Sequence, residues 1–283
     1  MDIQSILIPI TLFALLIASY TDIKHREVAD WINYGLIFAA LGIRSIVSVE
    51  QGWSILLSGL LGLGVCYGLA ATLYYTNQWG GGDSKLLMAM GAVIGIEYPF
   101  TAASLHLGGY LMGLLVLGAA YGLLWMGFLA IQNTKLFWRK TKLFIGRYSP
   151  LHTVILIYTA FFVIISIKFA FFWPITIFPM SVFYLIAFMN TMEDTLFLKK
   201  KDINELTEGD WLAEDVTVSG KVMLTKRTLE MKDLNTLQRL RREKKIAWVT
   251  IKEGIPFVPS FLLAYLVYLG GSAVWELVWK VLF

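Results

Sequence analysis

Gly80-Gly81-Gly82-Asp83-Ser84-Lys85 lies between two apolar runs, residues 55–75 and 86–96, and its reading decides what kind of chain this is. A carboxylate placed where a chain leaves and re-enters apolar sequence stands at membrane depth, where ionised groups are costly and mark function. Three successive glycines give backbone with no Cβ, which another chain can approach closely and which takes positive φ at little cost. The plainer reading of the same residues is a glycine turn between two membrane helices, with a solvated aspartate.

The composition supports the membrane setting. Of 283 residues 57% are apolar and 16% charged, which excludes a pair of soluble domains and indicates a polytopic membrane protein. Eight apolar runs are long enough to consider as spans: residues 3–20, 31–49, 53–75, 85–100, 104–131, 152–169, 175–190 and 256–283. The fourth is short and Pro179 interrupts the seventh. The sixth and seventh also read as one hairpin turning at Phe172-Trp173-Pro174. The expected fold is an α-helical polytopic membrane protein of six to eight transmembrane helices.

Residues 191–254 change character. They carry Lys199-Lys200-Lys201, Glu205, Glu208, Asp210, Glu214 and Asp215, and they predict a small cytoplasmic α+β domain. Residues 211–218 and 221–225 read as a strand pair across Ser219-Gly220, residues 234–244 as a helix, and residues 246–251 as a further strand. The expected division is a membrane domain at 1–190, a soluble domain at 191–254 and a final transmembrane helix at 255–283. About 60 residues are marginal for an independent core, so this domain is expected to lean on the membrane part.

Lys and Arg fix the expected orientation. With the N-terminus outside, 21 of the 24 fall in the inside segments 21–30, 76–85, 132–151 and 191–255, and only Arg44, Lys168 and Lys280 do not. Asp83 then faces the cytoplasm, and so does Asp22, which ends the first apolar run in Asp22-Ile23-Lys24-His25-Arg26-Glu27. The net charge of +4 is explained by these loops and gives no ground for nucleic-acid binding. Met1-Asp2 lacks a basic stretch, so no cleavable signal peptide is expected. Arg239, Arg241, Arg242, Lys244 and Lys245 read as a solvated helix face or as a contact with anionic lipid headgroups.

Two aspartates at same-side ends of membrane helices can share a proton, giving one acid and one base for peptide hydrolysis. Here the sequence resembles the GxGD aspartyl proteases of membranes, and among them the archaeal preflagellin and type IV prepilin peptidases. The resemblance is carried by Asp22, by Gly80-Gly81-Gly82-Asp83 and by Gly254-Ile255-Pro256-Phe257-Val258-Pro259 before the last apolar run. It implies catalytic roles for Asp22 and Asp83, substrate passing beside Gly80, Gly81 and Gly82, and no cofactor or metal. It further implies removal of a short basic leader from archaellin or type IV pilin precursors, proteins with prepilin-like (class III) signal peptides. The setting implied is the plasma membrane, with the active site toward the cytoplasm. Glu27 and Asp30 are candidates to receive the basic leader by charge complementarity. Bacterial relatives carry a four-cysteine insert and methylate their product. This chain has one cysteine, Cys66, so the resemblance stops at the protease.

Other chemistries find less support. No Gly-x-Ser-x-Gly occurs, Cys66 has no neighbouring His, and His25, His106 and His152 are dispersed without ligand spacing. A transporter using Asp22 and Asp83 as a proton relay would favour internally repeated halves, which are not evident. An envelope assembly protein would tolerate loss of both aspartates. A presenilin-like protease of other membrane helices is the near alternative, although its Pro-Ala-Leu segment is missing. The spacings Gly64-x-x-x-Gly68, Gly91-x-x-x-Gly95, Gly109-x-x-x-Gly113 and Gly118-x-x-x-Gly122 predict close helix packing in the third to fifth runs.

Overall fold

The computed structural model describes residues 3–76, 78–193, 197–218, 220–252 and 254–271. Met1 and Asp2, the predicted turn tip at Ser219, and the end of the last predicted run, residues 272–283 with Lys280, lie outside the described residues. The chain forms two compact units, residues 1–124 with 255–283, and residues 125–254.

Backbone in a bilayer must satisfy its own hydrogen bonds, so long apolar runs become helices. The first unit holds α1 (Ile3–His25), α2 (Asp30–Gln51), α3 (Ser54–Tyr75), α4 (Gly81–Ile94), the start of α5 (His106–Gln132) and, from the far end of the sequence, α10 (Val258–Leu269). Helix α4 is the enclosed one: Leu86, Leu87, Ala89, Met90, Ala92 and Val93 are all buried. It lies between α2 and α3. Gly62 of α3 and Gly91 of α4 face each other, and a methyl group on either would overlap the other's carbonyl. Of the small-residue spacings read from sequence, Gly91, Gly95 and Gly118 do face neighbours, whereas Gly64, Gly68, Gly109 and Gly122 have open space where a Cβ would stand.

At 14 residues α4 is about 21 Å long, short of a hydrocarbon core of about 30 Å. The predicted run continued to residue 100. The helix stops at Ile94 because Gly95 takes φ 76°, a left-handed position that glycine accepts and that turns the chain away.

The second unit continues through α5 into α6 (Thr134–Arg147), α7 (Ser149–Lys168) and α8 (Trp173–Met192). Helices α7 and α8 form the hairpin read as one alternative from sequence, joined through a 3-10 turn at Ala170–Phe172. Tyr158 donates to the Ile175 carbonyl at 3.4 Å, and the Ser166 and Thr176 hydroxyls pair at 2.8 Å. Pro179 lies within α8 without ending it.

The rest of this unit is a small mixed module. Strands β1 (Leu198–Asp202), β5 (Trp248–Lys252) and β2 (Trp211–Leu212) form one antiparallel sheet in the order β1-β5-β2, and β3 (Val216–Val218) pairs with β4 (Lys221–Leu224). Helix α9 (Met231–Arg242) buries Leu234, Leu237 and Leu240, the first two in a core with Ile203, Leu212 and Ile251. At its start Arg227 forms a bidentate pair with Asp233. Burial pushes the Asp233 carboxyl up, but the hydrogen bonds from Arg227 and the Glu230 amide outweigh it and hold the group below its ordinary value.

Among the described residues six helices are long and apolar enough to cross a membrane: α1, α2, α3, α5, α7, and α8 with the turn before it. The protein is a polytopic α-helical membrane protein with a small sheet-containing region. The fourth predicted run and the described part of the last one form the shorter helices α4 and α10.

Candidate active site

Asp22 lies in the last turn of α1 and is buried. Helix α1 ends just beyond it, where Arg26 donates its N–H to the Asp22 carbonyl at 2.9 Å with φ 60°, an uncommon backbone position for a residue other than glycine. The Asp22 side chain points across the bundle. Its Oδ2 accepts the Val258 N–H at 2.9 Å. That amide is at the first position of α10, so the carboxylate sits where a helix offers unpaired donors and a positive dipole end. Pro259 follows at a position where a missing N–H costs nothing.

Asp83 is in the first turn of α4 and is half-buried. Gly80 precedes the helix in extended conformation, φ −69°, and a methyl group there would stand 3.7 Å from Asp83 Oδ2. Gly81 and Gly82 are already helical. Asp22 and Asp83 are close enough to interact electrostatically.

Several contacts hold the two ends of the site together. Trp79, directly before the glycines, packs its ring 5.3 Å from Phe257 and 5.7 Å from Phe261. Phe257 in turn fills the space left by Gly118 on α5. Asn33 of α2 is fully buried and donates from Nδ2 to the Gly82 carbonyl at 3.3 Å. Val28 lies against Gly82, with 3.3 Å between its Cβ and a methyl group built on the glycine. The three sequence elements that carry the resemblance therefore converge in one place: Asp22, the glycine motif, and the segment at 254–259. Asn33, Trp79 and the Val258 amide escaped the sequence reading. Only the aromatic residue next to the glycines offered a local signal.

Glu27 and Asp30 lie at the same end of the bundle and are exposed. Asp30 opens α2 and is paired with Lys85 at 2.6 Å, while Lys85 also lies 5.5 Å from the Tyr34 ring centre. Ser19, one turn before Asp22, and Ser84, next to Asp83, are buried with hydroxyls that have no protein partner among the described residues. No group of three or more His, Cys, Asp or Glu among the described residues is placed to hold a metal ion.

Chemically, the arrangement offers two carboxylates within reach of each other's charge, one tied to a helix N-terminus and one beside bare backbone. Residues 10–117, which contain both aspartates and the glycines, match the sequence model of the Type IV leader peptidase family. A segment of 86 residues is 36% identical to the preflagellin peptidase of Methanococcus voltae, covering 30% of this chain and 36% of that protein. The preflagellin peptidase of Methanocaldococcus jannaschii is 38% identical over 85 residues, 28% of this chain and 34% of its own length. That of Methanococcus maripaludis is 33% identical over 85 residues, with 28% and 35% covered. The chain thus spans about a third of the length of the curated relatives it matches. No solved structure matches. The likeness to prepilin and preflagellin peptidases expected from the motifs is present over residues 10–117.

Proposed function

From the likeness of residues 10–117 to type IV leader peptidases, we propose that this chain is a membrane aspartyl endopeptidase. It removes the short basic leader from archaellin or type IV prepilin precursors, at the cytoplasmic face of the plasma membrane. The observation that carries the reading is the convergence of Asp22, fixed by the Val258 amide, with the glycine motif that leads into Asp83, whose neighbour Trp79 packs on Phe257.

One carboxylate takes a proton from water as the water attacks the scissile carbonyl. The other, protonated, donates to the carbonyl oxygen; as the tetrahedral intermediate collapses it takes that proton back, while the first carboxyl passes the proton it took from water to the leaving nitrogen. The two groups titrate as a pair, so the acid and base roles belong to the dyad. An extended precursor lies beside Gly80, Gly81 and Gly82, where no Cβ stands between its backbone and Asp83. The Ser19 and Ser84 hydroxyls supply hydrogen bonds to the incoming water or peptide. Glu27 receives a basic residue of the leader, and Asp30 does so in competition with Lys85.

The test is cleavage of archaellin and pilin precursors by the membrane-reconstituted protein. Asp22→Asn and Asp83→Asn each keep the side-chain shape but lose the exchangeable proton, and each is expected to lower the rate by about a thousandfold or more. Turnover retained in either variant removes the dyad from the mechanism. Full activity of the native chain on neither precursor class removes the substrate assignment.

A further inference from the structure

We propose that α6 is a binding face for anionic phospholipid headgroups. The helix packs on α8 by one side only. Phe137 has its ring 5.7 Å from Phe188, Phe144 has its ring 6.2 Å from Phe183, and the buried Thr141 hydroxyl donates to Thr191 at 3.3 Å. At 3.6 residues per turn, Lys135, Arg139 and Lys142 fall on the opposite side, and all three are exposed. Trp138 and Leu143 flank this row and are also exposed, at 56% and 64%.

Among the described residues no acid lies within ion-pair distance of these cations. Between Glu97 and Glu193 the sequence contains no Asp or Glu, so Lys135, Arg139, Lys140, Lys142 and Arg147 form a like-charged cluster. Glu193 is engaged by Lys252 at 2.6 Å. Among the described residues none of the ion pairs includes any of the five. Like charges three and four residues apart on a helix repel, so the row is stabilised by counter-charge from outside the chain. The helix is short and follows and precedes membrane-spanning helices, α5 and α7, so it lies where the chain emerges from the bilayer. The surface there is the headgroup layer, and exposed Trp beside Lys and Arg is the side-chain pattern suited to it. Anionic headgroups supply the missing charge to Lys135, Arg139 and Lys142, while Trp138 and Leu143 rest against the acyl boundary.

This reading is independent of proteolysis, and its test is binding. The full chain in detergent is titrated with phosphatidylglycerol and with phosphatidylcholine, and bound lipid is counted by native mass spectrometry. Phosphatidylglycerol is expected to bind the more tightly, and less so as ammonium acetate is raised. The variant Lys135→Gln/Arg139→Gln/Lys142→Gln is expected to lose about a hundredfold in affinity for its tightest phosphatidylglycerol site, about fivefold for each cation. The charge-keeping variant Lys135→Arg/Arg139→Lys/Lys142→Arg retains the preference. Equal binding of the two lipids by the native chain overturns the proposal without recourse to any variant. So does an undiminished preference in the triple Gln variant.

Discussion

Gly82 is the most confined of the three motif glycines. A methyl group there meets Val28 at 3.3 Å, whereas one at Gly81 meets Tyr74 at 3.7 Å and one at Gly80 meets Asp83 at 3.7 Å. None of the three needs a left-handed backbone, since Gly80 has φ −69° and Gly81 and Gly82 are helical. Their shared value is close approach rather than turning. Gly82→Ala forces Val28 to move beside Asp83, so we expect precursor cleavage to fall about a hundredfold with thermal stability little changed. Gly81→Ala is expected to stay near native, and Gly80→Ala to fall between them because its methyl group faces the carboxylate. Cleavage rates set against melting temperatures in detergent decide this, and equal activity in all three returns the stretch to a plain turn. Asp22 and Asp83 stood out in the sequence because carboxylates at the ends of apolar runs are costly. Asn33 did not, because its meaning depends on a carbonyl 49 residues away.

At the scale of the element, α4 is held at both ends. Its first turn carries Asp83, and its last carbonyls, which have no partner within a helix, are taken by Arg44 of α2. The buried guanidinium donates to Ala92 at 3.0 Å, Val93 at 2.7 Å and Ile94 at 3.1 Å. It also reaches the Ile55 carbonyl at 3.1 Å and the Ser58 hydroxyl at 3.3 Å. The charge sits at the negative end of a helix dipole rather than against an acid. Arg44→Met leaves these carbonyls buried and unpaired, and we expect it to cost about 3 kcal/mol, read as a fall in melting temperature. Arg44→Lys recovers only part of this, because an ammonium group cannot serve five directions at once. In the sequence Arg44 reads only as one of three cations on the sparse side. Two elements were hidden for related reasons. Helix α6 was read as a basic loop because five cations mask its apolar positions. Strand β1, Leu198–Asp202, carries three lysines and is largely exposed, so the alternation that marks a half-buried strand is missing.

For the whole molecule, the long apolar runs were readable because spanning a bilayer takes about 20 apolar residues in a helix. The hairpin of α7 and α8 was readable because Trp173-Pro174 interrupts one continuous apolar stretch. The strand order β1-β5-β2 was not, since it joins segments about 50 residues apart through backbone hydrogen bonds that leave no mark in composition. The same holds for the longest-range contact of the site, between Asp22 and Val258, which lie 236 residues apart. A ribosome adding roughly 5–20 residues per second takes on the order of ten to fifty seconds to travel that distance. For most of that interval α1 and α4 are already made, while the amide that fixes Asp22 does not yet exist. A chain ended after residue 254 is therefore expected to insert into membranes and to leave precursors uncut, and supplying residues 255–283 as a separate peptide should restore part of the activity. On the proposed function, a chain translated only as far as residue 254 already holds both aspartates but lacks the amide that fixes one of them, so the making of α10 is the event that joins the parts of the site.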